Sequence, residues 1–106
     1  MITGKQRAYL RGLAQKLTPI FQIGKEGVTE SVIAAIDEAI EKRELIKVNI
    51  LETAFLDTRE ACDMIAAQIS AEPVQAIGNK FVLYRQAGEE KNRKIEIPVA
   101  KVKRGE

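Results

Sequence analysis

A chain of 106 residues suits one domain, with room for a single modest core and not for two. Its 45% hydrophobic and 30% charged residues are those of a soluble globular protein, and no run approaches the ~20 apolar residues of a membrane span, so no membrane partner is expected. The chain has no histidine, which excludes Ser/His and Cys/His catalysis and the usual zinc sites, and its one cysteine, Cys62, excludes an internal disulfide.

The net charge of +2 conceals a segregated pattern. Residues 1–25 carry Lys5, Arg7, Arg11, Lys16 and Lys25 with no acid, a sum of +5. Residues 26–72 sum to −7, and residues 73–106 return to +4. A segregated basic surface lets a near-neutral small domain dock on polyanions. The opening Met1-Ile2-Thr3-Gly4-Lys5 lacks the apolar stretch of a signal peptide, and a lone cysteine fits a reducing compartment, so a cytoplasmic location is expected.

Thr3-Gly4-Lys5-Gln6 matches a capping box and predicts a helix running to Lys16 or Leu17, stopped by Pro19. Tyr9, Leu10, Leu13, Ala14 and Leu17 share its apolar side, while Lys5, Arg7, Arg11 and Lys16 lie around the other. Solvated helix faces usually mix signs, so four bases without an acid favour contact with a polyanion.

Ile20-Phe21-Gln22-Ile23 reads as a short strand, followed by the loop Gly24-Lys25-Glu26-Gly27 and a helix capped by Thr29. The two glycines allow close approach to the main chain, and a helix start offers free N–H groups to an anion. This GxxG arrangement is how KH modules clamp single-stranded RNA. Its ordinary use is a tight strand-to-helix turn; the basic context is what favours phosphate binding.

The second helix is expected over Glu30 to Arg43, with Val32, Ile33, Ile36, Ala39 and Ile40 buried and the acids Glu30, Asp37, Glu38 and Glu41 solvated. Leu45 to Leu51 is a strand whose Ile46, Val48 and Ile50 face the core, while Lys47 and Asn49 face solvent or RNA. Asp57 caps a third helix with Glu60 in the capping-box position, and Ala61, Cys62, Ile65 and Ile69 line its inner side. Cys62, beside an acid, reads as a small core residue and not a nucleophile. Pro73 closes that element, and Val74–Ile77 and Lys80–Arg85 form a hairpin across Gly78-Asn79. Tyr84 is expected to pack in the sheet, and Lys80 and Arg85 are further candidate RNA contacts. From Gln86 onward the chain is polar and basic, with an extended piece at Ile95-Glu96-Ile97-Pro98, and much of it, including a basic tail over residues 99–106, is expected to be mobile. The scarcity of aromatics argues for recognition by shape and phosphate over base stacking.

Thr3-Gly4-Lys5-Gln6 with Tyr9-Leu10-Arg11-Gly12-Leu13-Ala14 resembles the opening of the YhbY-like CRM domain family (chloroplast RNA splicing and ribosome maturation). The likeness continues in Gln22 to Glu30, Glu44-Leu45-Ile46-Lys47-Val48, Gln75-Ala76-Ile77-Gly78 and Leu83-Tyr84-Arg85, in family order over residues 3–98. The resemblance implies an RNA-binding domain over residues 1–98, related in fold to the C-terminal domain of translation initiation factor three. As a single copy, the chain is expected to be of the bacterial type associated with large ribosomal subunit precursors. Glu26 departs from that use of the loop, because it sets a negative charge where phosphate prefers a neutral or basic residue.

The expectation is therefore a single α/β domain, a four-stranded mixed sheet with three helices packed mostly on one face. It is expected to be a monomer that binds ribosomal RNA without catalysis, cofactor, metal or small-molecule substrate. Gly24, Lys25, Glu26, Gly27 and Thr29 form the loop site, with Lys5, Arg7, Arg11 and Lys16, and more weakly Lys47, Lys80 and Arg85, as cationic contacts. The alternative is a protein-interaction module that docks through its acidic helix faces.

Overall fold

Thr3 and Gln6 close a reciprocal capping box, with the Gln6 N–H donating to Thr3 Oγ1 at 3.1 Å and the Thr3 N–H to Gln6 Oε1 at 2.9 Å. That box opens α1, Gly4–Ala14, in a computed structural model that describes residues 2–93 and 95. The helix ends before Lys16, which lies in a turn closed by Lys16 N–H to Leu13 O at 3.3 Å. The chain continues through β1 (Phe21–Ile23), α2 (Glu30–Arg43), β2 (Leu45–Ile50), α3 (Thr58–Ile69), β3 (Glu72–Ile77) and β4 (Lys80–Tyr84). Single 3-10 turns at Glu52–Ala54 and Glu90–Asn92 complete it. Residues 96–98 of the expected extended piece, and the tail over 99–106, lie outside the described residues.

The strands are ordered β1-β2-β4-β3, with β1 parallel to β2 and the other pairs antiparallel, which is the expected mixed sheet. Period-two alternation sorts the central strands between two cores. Ile46, Val48 and Ile50 of β2 and Phe81 and Leu83 of β4 pack under α2 and α3, against Ile36, Ile40, Ile65 and Ile69. Leu45, Val82 and Tyr84 point the other way, onto Leu10 and Ala14 of α1. Two helices thus share one face, and α1 covers the other. Tyr84 is buried in the sheet as expected. Lys47 and Asn49 are half-buried on the face that α1 covers, and Asn49 Oδ1 has no hydrogen-bond partner among the described residues.

Pro73 lies inside β3 instead of ahead of it. An edge strand tolerates proline because one side of its backbone has no ladder to complete, and the register slips at Pro73/Gln75 as a bulge does. Residues 86–93 are held down more firmly than their composition suggests. The fully buried carboxylate of Glu44 accepts from Ala87 N at 2.7 Å and Ile95 N at 2.9 Å. Glu41 Oε2 accepts from Gly88 N at 2.7 Å and Glu89 N at 3.1 Å.

Candidate nucleic-acid interface

Ile23 ends β1 and the chain turns at once. The Gly27 N–H donates to Gly24 O at 2.8 Å, and Gly27 takes φ +73°, a conformation that costs other L-residues about 1–2 kcal/mol. Gly24 is under no such constraint, and its surroundings leave room for a side chain. A methyl group there would sit 3.4 Å from Leu51 Cδ1 and 3.7 Å from Thr53 Oγ1. Lys25 and Glu26 at the tip are exposed. Thr29 caps α2 by accepting from Val32 N at 3.1 Å, so one N–H of the first turn is already committed.

Because β2 is parallel to β1 and β4 is antiparallel to β2, the end of β2, the start of β4 and the Gly78-Asn79 hairpin all lie at the loop's end of the sheet. Lys80 is the cation brought there, its Nζ 3.3 Å from Asn79 Oδ1. Lys80 therefore shares the loop's end of the sheet, with β2 lying between β1 and its own strand.

A second group lies at the opposite edge of the sheet. Arg7 and Arg11, one turn apart on α1, line a groove of about 540 Å³ beside β3, and α3 contributes Arg59 and Asp63 to its far wall. Arg7 Nε donates to Pro73 O at 3.3 Å, which fixes the guanidinium at the groove's rim. Three guanidiniums against one carboxylate make this groove electropositive. Lys5 is exposed on α1, and Lys16 is exposed in the turn that follows it. Sequence reasoning missed Arg59, because its neighbours in the chain, Asp57, Glu60 and Asp63, are acids; only the packing of α3 beside β3 sets it opposite Arg7 and Arg11.

Arg85 belongs to neither group. It is at the far end of β4, its side chain 21% exposed, and its guanidinium is spent internally. Nη1 bonds Asp37 Oδ1 and Ile69 O (2.8 Å), and Nη2 reaches Asp37 O at 3.2 Å and Glu41 Oε1 at 3.4 Å. Asp37 and Glu41, expected to be solvated, are thereby paired within the chain, which leaves less free acid on α2 for docking a basic partner. Lys47, half-buried on the α1 side, is likewise not gathered with the loop.

One group at the loop's end was not anticipated. Phe55, at the close of the 3-10 turn, is 93% exposed with φ +52°, and Leu51 and Leu56 are exposed beside it. The reading that exposed aromatics are lacking does not hold at this position. A phenylalanine within the apolar run Ala54-Phe55-Leu56 carries no signal that it faces out.

Cys62 is buried, and its thiol is pushed up to about 12 by that burial first, then by the charge of Asp63, with Arg59 acting the other way. Such a thiol stays neutral and unreactive near neutral pH. Burial also raises the Tyr84 hydroxyl, reinforced by Glu44 and opposed by Arg93. Among the described residues no cluster of three His, Cys, Asp or Glu side chains could hold a metal ion, and no helix is long and apolar enough to cross a membrane.

A family model of the CRS1 / YhbY (CRM) domain matches residues 2–85. The Probable RNA-binding protein YqeI of Bacillus subtilis is 45% identical over 98 residues, covering 92% of this chain and all of that protein. An RNA-binding protein of Haemophilus influenzae is 36% identical over 97 residues, covering 92% of this chain and 95% of its own length. The solution structure of the hypothetical protein SAV1595 from Staphylococcus aureus superposes with a TM-score of 0.75 at 46% identity, covering 92% of this chain and all of that one.

Proposed function

The chain belongs to the CRS1 / YhbY (CRM) domain family, and from that premise we propose that it is a non-catalytic RNA-binding protein, acting as a cytoplasmic monomer on ribosomal RNA during assembly of the large ribosomal subunit. The observation that carries the reading is the glycine loop: a tight turn at Gly24–Gly27 with Lys25 exposed at its tip, at the same end of the sheet as Lys80. Phosphates approach that loop through backbone N–H groups, with Lys25 offsetting the negative charge of Glu26 at the tip. Arg7, Arg11 and Arg59 supply a second, electrostatic contact from the β3 edge, and Lys5 and Lys16 add long-range attraction. RNA-binding relatives in the same family support the partner class. The absence of histidine and the unreactive state of Cys62 support binding over catalysis.

The test is sedimentation of the tagged protein from a cell lysate through a sucrose gradient at low and moderate salt. Migration with large-subunit precursors that is lost as salt rises is the expected result. A protein that stays at the top of the gradient at both salts refutes the ribosomal assignment. Nuclease treatment separates the alternative, since a complex made through the acidic faces of α2 and α3 survives removal of the RNA.

A further inference from the structure

The most anomalous surface of the molecule is the apolar end beside the glycine loop. A scattered exposed leucine needs no explanation, but an almost fully exposed phenylalanine beside the exposed Leu51 and Leu56 does. Phe55 is the extreme case. It gains nothing from burial at 93% exposure, and it occupies a left-handed backbone position (φ +52°, ψ +43°) that favours glycine or asparagine. A costly conformation that holds an aromatic ring out in water is a reason to ask what the ring meets.

The turn that carries the ring is welded to the glycine loop. Leu51 N donates to Ile23 O at 2.8 Å, Leu51 and Thr53 are the side chains nearest Gly24, and Phe55 N closes the turn on Glu52 O at 3.2 Å. On its other side the ring borders a groove of about 390 Å³ lined by Ile50, Leu51, Leu56, Thr58 and Asn79, with Glu52 at the rim. The Thr58 hydroxyl donates to Gly78 O at 2.8 Å and Ile50 N to Asn79 O at 2.7 Å, so hairpin, turn and loop form one fixed platform. The groove has an aromatic edge and an apolar lining from Ile50, Leu51 and Leu56, with Glu52, Thr58 and Asn79 as its polar members. It has room for a flat heterocycle of nucleobase size.

We propose that Phe55 is a stacking platform for an unpaired nucleobase, belonging to the same RNA strand whose phosphates lie on the Gly24–Gly27 loop. This deepens the RNA-binding reading and rests on it. A phosphate clamp alone accepts any backbone; a ring beside it requires a base that has left its stack, so the site selects single-stranded or bulged RNA over a continuous duplex. Asn79 and Glu52 are placed to meet the polar edge of that base.

The chain has no tryptophan, so Phe55→Trp installs a single reporter at an exposed position where it does not disturb the core. The probes are a fluorescently labelled mixed-sequence RNA of about 12 nucleotides and the same strand annealed into a duplex, which is within the usual range of single-strand site sizes. Anisotropy with the unmutated protein is measured first. Expected are tighter binding of the single strand than of the duplex, quenching of the Trp emission by the single strand only, and an affinity loss of about 5-fold or more in Phe55→Ala with an unchanged salt slope. Unmutated protein that binds neither RNA overturns the RNA reading and this inference with it. Unmutated protein that binds the single strand, together with Phe55→Ala of equal affinity or an unmoved Trp emission, overturns the stacking role alone. Sedimentation equilibrium covers the other occupant of an apolar patch: a dimer that Phe55→Ala dissociates without loss of RNA affinity assigns the ring to a second copy of the chain and overturns the proposal.

Discussion

Arg85 and the pair Arg7 and Arg11 look alike in the sequence and opposite in the structure, and substitution to alanine separates them. Arg85→Ala removes charge-assisted bonds to Asp37 and Glu41 and leaves Ile69 O without this donor. Bonds of this kind contribute about 1.5–3 kcal/mol when shielded and less when exposed. With Arg85 mostly shielded and Asp37 half-exposed, a loss of about 2 kcal/mol is expected, or a fall in Tm of roughly 10 °C for a domain of this size. The slope of log K against log salt for RNA should not change, because the guanidinium is already neutralised by its own chain. Arg7→Ala with Arg11→Ala should do the reverse. If each meets one phosphate of a single strand, the slope falls by about 1.4, so a rise from about 50 to 200 mM salt costs the double variant about 7-fold less affinity than it costs the unmutated protein. Thermal melting by circular dichroism and RNA anisotropy at four or five salt concentrations give both numbers. An Arg85→Ala protein that melts normally but loses a unit of slope would refute the reasoning, as would an unchanged slope in the double variant.

Gly27→Ala should cost about 1–2 kcal/mol in urea unfolding, because φ +73° is strained for any residue with a Cβ. Gly24→Ala meets only an ordinary contact at 3.4 Å, so it should keep the unfolding midpoint while weakening RNA binding; normal binding in that variant would place phosphate elsewhere. Glu44→Ala leaves the amides of Ala87 and Ile95 without their acceptor and should destabilise by about 3 kcal/mol, with Glu44→Gly about 1 kcal/mol better because φ is +68° there; equal midpoints for the two would contradict the backbone argument. The folded-state thiol of Cys62, pushed up to about 12 from 9.0, holds its proton where the unfolded chain would release it. Its contribution to stability is therefore complete below pH 9 and declines as pH rises from 9 toward 12, and Cys62→Ala should flatten that alkaline limb of the urea midpoint.

What was legible in the sequence is what nearest neighbours along the chain decide. The Thr3/Gln6 box, the Thr29 and Asp57 caps and the Gly78-Asn79 turn are local chemistry, and each is formed as read. The alternation in β2 marked one inward face and left the other to solvent or RNA, so Lys47 and Asn49 looked free where α1 lies. Long-range pairing hid the fate of the charges. Asp37 and Glu41 sit 48 and 44 residues before Arg85, and no periodicity couples residues so far apart. Arg59 was masked in the opposite way, by the acids around it in the chain, of which only Asp63 shares the groove wall with it, 3.8 Å from Arg59 Nε. Phe55 was the least legible of all, because nothing in the apolar run Ala54-Phe55-Leu56 announces either its left-handed φ of +52° after the 3-10 turn or its exposure. The ring and the three-arginine groove are therefore properties of this fold and not of a motif. The loop motif states only that a backbone can come close; in the RNA complex proposed above, the choice between a free strand and a duplex rests on side chains the motif does not contain.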